Sequence, residues 1–440
     1  MMNVLERGLL TLVTAVPLLA QQTPARVEYL DNGILRVGVD LRAGAAISYL
    51  SLSGVDDNVI NIHDLGRYLQ QSYYSGPCPF IPDGAKQHPG WSGWCWNPIQ
   101  AGDVFGNPAR TLSVRNTGTR LIARSIPKQW ALDNIEGECL FETEITLDQN
   151  RVHLRLRLEN DRPDENTYPA VHQELPAVYT IGRLHRLFTY TGDTPFSNAP
   201  VTQIQNSGPP WTYWNSTECW TALVDDSDWG LGIFHPKALL TVGGFSGTPG
   251  IGGPTDNPTG YFAPIHTEVL DHNIHYEYEV TMILGDLHAD IRAWAYANPP
   301  ELRPDHDFTL DRDHCFPVNL SDPSPPYSGH WSLILDQPDP QLYLPPGLWN
   351  ASQVPTLYVT AAFNTHEEEA EVFFAAPGEG FSGDRRISFP ITGDGVMRTY
   401  PVDLASHPLY SGPMGHLRID PIVEQTPGDE VKLASVRFYP

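Results

Sequence analysis

The chain has 440 residues, of which 18% are charged and 10% aromatic, with 41 Pro and 37 Gly. Abundant turn residues, many aromatics and few helix formers point to an all-β protein, and the length admits two or three domains. The formal net charge of −25 repels phosphate backbones and anionic lipid, so nucleic acid and membrane surfaces are not expected partners.

Arg7, the apolar run Gly8 to Leu19 and the small Ala20 form the pattern of a secretory signal peptide over residues 1–20. The run is shorter than the roughly 20 residues that span a bilayer. No later stretch is long and apolar enough for a membrane helix, so no membrane insertion is expected. The expected location is secreted, either extracellular or periplasmic. In such a compartment disulfides are permitted. Among Cys78, Cys95, Cys139, Cys219 and Cys315, the first two bracket one short loop-rich segment and are the best candidate pair. Asn215, Asn319 and Asn350 open glycosylation sequons.

From Val27 to about Ala297 the chain is a succession of short alternating runs: Ile34 to Leu41, Ala46 to Leu52, Arg151 to Leu158, Trp220 to Val224, Gly230 to Phe234 and Tyr276 to Leu284. Period-two alternation buries one face of a strand and wets the other. Only Leu287 to Tyr296 reads as a helix. These runs predict a large two-sheet sandwich over residues 25–298. Residues 299–328 are proline-rich and read as a linker. Strands resume with Thr356 to Phe363 and Glu430 to Phe438, which predicts a smaller, jelly-roll-like β-sandwich over residues 329–440. The acidic run Glu367 to Glu371 reads as a solvated loop.

Three stretches carry candidate chemistry. Between Asn61 and Asp103, Asp64, Arg67, Gln70, Gln71, Tyr73 and Tyr74 are followed by His88, Trp91, Trp94 and Trp96. Sugars present apolar C–H faces edged by hydroxyls, so aromatic platforms beside Asp, Gln and Arg suit a saccharide. The bland reading, a tryptophan minicore around two cysteines, weighs about equally. In Ala170 to Tyr179, His172 and Glu174 stand two apart on a strand and share one face, with Pro176 expected to end the ladder. An imidazole beside a carboxyl can move protons. In the third stretch, Trp211 and Trp214 precede Glu218, whose carboxylate is placed to oppose Glu174 across a sugar ring. Tyr179 and Arg183 admit a different chemistry, in which an arginine neutralises a uronate while a Tyr or His removes the adjacent proton. Asp305 to Cys315 is rich in oxygen and imidazole ligands, and an ordinary acidic linker is the favoured reading over a structural calcium. No other cofactor is expected.

The His-x-Glu strand, the Glu before Trp-Thr-Ala-Leu, and the Asp-Trp-Gly-Leu-Gly-Ile-Phe run at Asp228 to Phe234 resemble the galactose mutarotase-like supersandwich superfamily. The resemblance spans about Val27 to Ala297. It implies a carbohydrate-active protein, since that superfamily holds aldose epimerases and β-domains of polysaccharide lyases and glycosidases. It also implies a His acid, matched by His172, and a Glu base, matched by Glu218 or Glu174. The terminal region resembles the small β-sandwich modules of secreted carbohydrate-active enzymes. The tryptophan-rich loops, export signal and added sandwich are departures from simple epimerases. They favour hydrolysis of an oligo- or polysaccharide by His172, Glu174 and Glu218. Lyase elimination, aldose epimerisation and non-catalytic glycan binding are the alternatives. Nothing in the sequence indicates an oligomeric state.

Overall fold

In a computed structural model of the chain, residues 26–440 are described, apart from 161, 165, 271–273 and 424–427. The expected signal segment lies outside the described residues. The alternating runs become antiparallel strands close to the expected bounds, among them Leu35–Asp40, Ala46–Leu52, Arg151–Asn160, Trp220–Val224, Trp229–Phe234 and His275–Asp286.

Residues up to 286 form two facing sheets. The first runs Val27–Asp31, Leu35–Asp40, Ala46–Leu52, Leu69–Ser72, Val171–Ile181, Thr259–Glu268, Leu240–Ser246 and Thr212–Asn215, with the short strand Pro98–Ile99 paired to Leu69–Ser72 and Lys128–Gln129 paired to Pro98–Ile99. The second centres on Trp229–Phe234, His275–Asp286, Arg151–Asn160 and Cys139–Asp148. Alternation explains why the sheets meet. Val152, Leu154, Leu156 and Leu158 turn inward and pack with Leu35, Val37, Leu175 and Phe262 of the first sheet. The opposite face of that strand carries Arg155 and Arg157. They pair with Glu142 and Glu277 on the neighbouring strands, so this charged face is a cross-strand ion-pair ladder.

The expected helix forms as a π-helical turn, Leu287–Arg292, capped by the Asp286 side chain, and the short α-helix Ala293–Ala297. Beyond it the linker expectation needs correction. Asp305–Asp307 pairs with Glu430–Arg437, and Phe316–Val318 pairs with Gln341–Tyr343. Both segments therefore belong to the sheets of the second sandwich, because extended backbone rich in proline can still supply edge strands. That sandwich has its own core, built around Trp331, Phe363, Phe374, Leu417 and Leu433. The acidic run is likewise no mere loop: Glu369–Ala375 is a strand, and Glu371 is buried against Arg386.

Candidate active site

Val171–Ile181 lies in the middle of the first sheet, hydrogen-bonded to Leu69–Ser72 on one side and Thr259–Glu268 on the other. Gln173 and Leu175 point into the core, while His172 and Glu174 point to the sheet's outer face. Pro176 does not end the strand. It sits in a bulge where the register to both neighbours shifts, and pairing continues to Ile181. The bulge resets the alternation, so Ala177 and Tyr179 share the outer face with His172 and Glu174.

That outer face is the floor of a cavity of about 910 Å³. Its aromatic walls come from segments distant in sequence: Tyr74, Trp91, Trp94, Trp130, Trp211 and Tyr213. Trp91 meets Trp94 and Trp130 edge-on, with ring centroids 4.7 and 5.8 Å apart. The loop bearing Trp91 and Trp94 is clasped by a Cys78–Cys95 disulfide, the pair expected from the sequence. Asp64 and Arg67 close another side. Arg67 already contacts Asp64 at 3.2 Å and donates to the Asn257 backbone carbonyl and side-chain Oδ1 at 2.7 and 2.9 Å.

Glu174 is half-buried, and Oε1 accepts a 2.6 Å hydrogen bond from the Tyr261 hydroxyl. Burial raises its carboxyl above the ordinary range of 4.5, while hydrogen bonds from Tyr261, Tyr74 and Ser72 recover part of the cost of ionising it. His172 Nδ1 lies 3.0 Å from Thr267 Oγ1, which faces it across the strand pair. Partial loss of water lowers its imidazole below 6.5. Burial, and then the charge of Glu174, raise Tyr261, which keeps its phenol protonated as a donor. The floor thus holds a carboxyl shifted toward its protonated form and an imidazole shifted toward its neutral form, two residues apart on one face.

No protein-family model and no curated protein sequence matches the chain. Solved structures similar to it bear the names implied by the sequence resemblance. A galactose mutarotase related enzyme from Lactobacillus acidophilus is 11% identical, with a TM-score of 0.39, over 60% of this chain and 99% of that one. A galactose mutarotase-like protein from Lactobacillus casei ATCC 334 is 12% identical, with a TM-score of 0.35, over 59% and 99%. An alpha-galactosidase from Geobacillus stearothermophilus is 11% identical, with a TM-score of 0.36, over 60% and 40%. Scores at this level carry no functional argument, which rests instead on the cavity.

The cavity brings together His172, Glu174, Asp64, Arg67, Gln70, Tyr74, Trp91, Trp94, Tyr179 and Trp211. Of these, Gln70 is only 2% exposed, and its amide is spent on the backbone of Leu65, Arg67 and Ala101. The structure corrects the placement of Glu218. It is fully buried, and its two oxygens accept from Arg292 (2.9 and 2.9 Å), Trp220 Nε1, the Phe196 backbone N–H and Tyr296. It lies outside the cavity and anchors a buried ion pair between the turn before Trp220–Val224 and the π-helical turn Leu287–Arg292. Gln71, Tyr73 and Trp214 are corrected because alternation turns them to the core side, and Trp96 because the disulfide-clasped loop folds it into the core; all four are buried. His88 caps the short helical turn Pro89–Trp91 by accepting from the Gly90 N–H. Arg183 pairs with Asp57 in a separate shallow pocket.

Sequence reading missed Trp130, Tyr213, His63 and Tyr261. Tyr213 was within reach, since it shares strand parity with Trp211. Trp130 has no neighbouring motif; only the fold carries it to Trp91. Three carboxylates of Asp305 to Cys315 are drawn to neighbouring basic side chains. Asp305 and Asp307 pair with Arg437, and Asp313 pairs with His306 and Lys237. Among the described residues one group has metal-ligand convergence: His266, Glu268 and His314, outside this cavity.

Proposed function

We propose that the protein is a carbohydrate-active enzyme that seats a saccharide in this cavity and transfers protons at its anomeric centre. The observation that carries the reading is the pairing of Glu174, held toward its protonated form, with His172, held toward its neutral form, on one face of a strand floored and walled by aromatic rings. Aromatic rings stack on apolar sugar faces, and a cavity of this size exceeds what one pyranose fills. Reversing the roles that the resemblance implies, Glu174 gives its proton to the ring oxygen while His172 Nε2 takes the proton of the anomeric hydroxyl. The bond from C1 to the ring oxygen breaks, a carbonyl forms, and the reverse sequence closes the ring. Export is part of the proposal, supported by the disulfide.

Hydrolysis is the second reading, favoured by one observation: of the two other carboxylates lining the cavity, Asp103 is buried and fully engaged, while Asp64 is exposed and open to oppose Glu174. Elimination is the weaker fit, because the guanidinium of Arg67 is already engaged by Asp64 and Asn257.

The test is incubation of the full chain with a panel of reducing sugars, oligosaccharides and polysaccharides. Accelerated anomer interconversion supports ring opening, new reducing ends support hydrolysis, and a conjugated uronate chromophore supports elimination. Glu174→Gln retains shape but cannot ionise, and is expected to lower the rate ~10²–10⁴-fold with ligand affinity retained. Near-normal turnover in that variant would refute the assignment.

A further inference from the structure

The strand Thr259–Glu268 turns His266 and Glu268 to the same side, two residues apart, and the segment leaving the large sandwich brings His314 against them. His266 Nδ1 lies 3.3 Å from Glu268 Oε1 and 3.2 Å from His314 Nδ1, and His314 Nδ1 lies 2.6 Å from Glu268 Oε1. His266 and Glu268 are only 4% and 5% exposed. His266 Nε2 is 3.0 Å from the Lys237 carbonyl, which can only accept, so this nitrogen carries the ring proton and Nδ1 presents a lone pair. Three potential ligand atoms therefore converge, with His314 Nδ1 and the Tyr276 hydroxyl as the proton donors at hand. A Glu–His ion pair accounts for the 2.6 Å contact but leaves the His266 Nδ1 lone pair with only a 3.2 Å share of the same proton.

A cation accounts for all three. A tetrahedral ion with bonds of ~2.0–2.1 Å sets its ligand atoms roughly 3.3 Å apart, close to two of the three separations observed. The partners behind the ligands also fit, since Lys237 fixes the tautomer of His266 and the Tyr276 hydroxyl bonds Glu268 Oε1 at 2.9 Å. Two further features mark the place. His235, only 3% exposed with its ring 5.0 Å from that of His266, has an Nε2 without a hydrogen-bond partner among the described residues. Asp313 and His314 both adopt positive φ, 41° and 64°, a conformation that side-chain-bearing residues seldom take and that aims His314 inward. His314 also lines a cavity of about 330 Å³ between the two sandwiches, which supplies an entry path.

We infer that His266, Glu268 and His314 bind one divalent transition-metal ion of the zinc class, which clamps the chain leaving the large sandwich to its sheet. Two imidazoles and one carboxylate suit zinc and not calcium, which takes six to eight oxygens.

The full chain, stripped with a chelator, dialysed and verified as folded by circular dichroism, is titrated with Zn²⁺ against a chromophoric chelator, and with Co²⁺ in the visible range. One Zn²⁺ per chain, a tetrahedral Co²⁺ spectrum and slower protease cutting between residues 299 and 318 with Zn²⁺ are expected. His314→Gln, on the outer segment, is expected to fold and to weaken binding by at least ~100-fold, beyond the ~10–100-fold typical of outer partners. Folded wild-type chain that takes up neither ion overturns the inference whatever the variant does. Undiminished Zn²⁺ binding by His314→Gln overturns it equally.

Discussion

Replacing Glu218 by Gln separates an architectural carboxylate from a catalytic one. Glu218 is 0% exposed and accepts two hydrogen bonds from Arg292, itself 8% exposed, plus one each from Trp220, Phe196 and Tyr296. Every one of these partners is a donor, so the NH₂ of a glutamine must face at least one N–H or O–H. Arg292 meanwhile keeps a buried charge, with the Ala199 carbonyl and the rings of Tyr190 and Tyr296 as its remaining partners. Breaking one side of a buried pair in this way costs about 3–5 kcal/mol. For a unit of roughly 270 residues, at about 2.1 cal/mol/K per residue, the melting midpoint falls by about 5–9 °C. The pH dependence has a definite sign. Burial pushes Glu218 upward, but Arg292, Trp220 and the Phe196 N–H outweigh it and hold the carboxyl below 4.5. Its stabilisation is therefore present above pH 4.5 and lost as pH falls through the depressed value, so the wild-type and variant midpoints converge on acidification. Differential scanning calorimetry from neutral to acidic pH measures both the gap and its closure. Saccharide affinity, read by calorimetric titration of the folded variant, stays within about 2-fold because the site is separate. A variant with an unchanged midpoint and abolished turnover would return Glu218 to the catalytic set and refute the reasoning.

Turnover needs His172 neutral and Glu174 protonated, and the lowered imidazole and raised carboxyl widen the pH range in which both hold, so a bell-shaped profile is expected from initial rates. Tyr261→Phe removes a hydrogen bond that favours the ionised Glu174, so the alkaline limb of that profile moves up; a fixed limb would mean that another group sets it. A Cβ at Gly66 would stand 2.6 Å from Trp130 Cη2, so Gly66→Ala displaces that wall and lowers ligand affinity, measurable by tryptophan fluorescence titration. Opening the Cys78–Cys95 bridge as a Cys78→Ser/Cys95→Ser pair frees a loop closed at a separation of 17 residues, worth up to about 3 kcal/mol. The loss falls on ligand binding by Trp91 and Trp94; an unaltered affinity would remove those rings from the site.

Local periodicity determined a great deal. Strands such as Ala46–Leu52 and Trp220–Val224 fall where alternation placed them, because a half-buried strand must bury every second residue. The same rule put His172 and Glu174 on one face without knowledge of what that face met. It was not carried through the polar–aromatic segment, where parity separates Gln70 and Tyr74 in the cavity from Gln71 and Tyr73 in the core. Tertiary structure decided the rest. A bulge at Pro176 rotates Tyr179 back into the cavity, an irregularity with no period to betray it. Trp130 reaches Trp91, and His314 reaches His266, across long stretches of chain that only sheet pairing and loop closure bring together. Glu218 shows the limit most sharply. A carboxylate before an apolar strand reads the same whether it faces a substrate or an arginine, and the choice was made by Arg292, contributed by a helix 74 residues away.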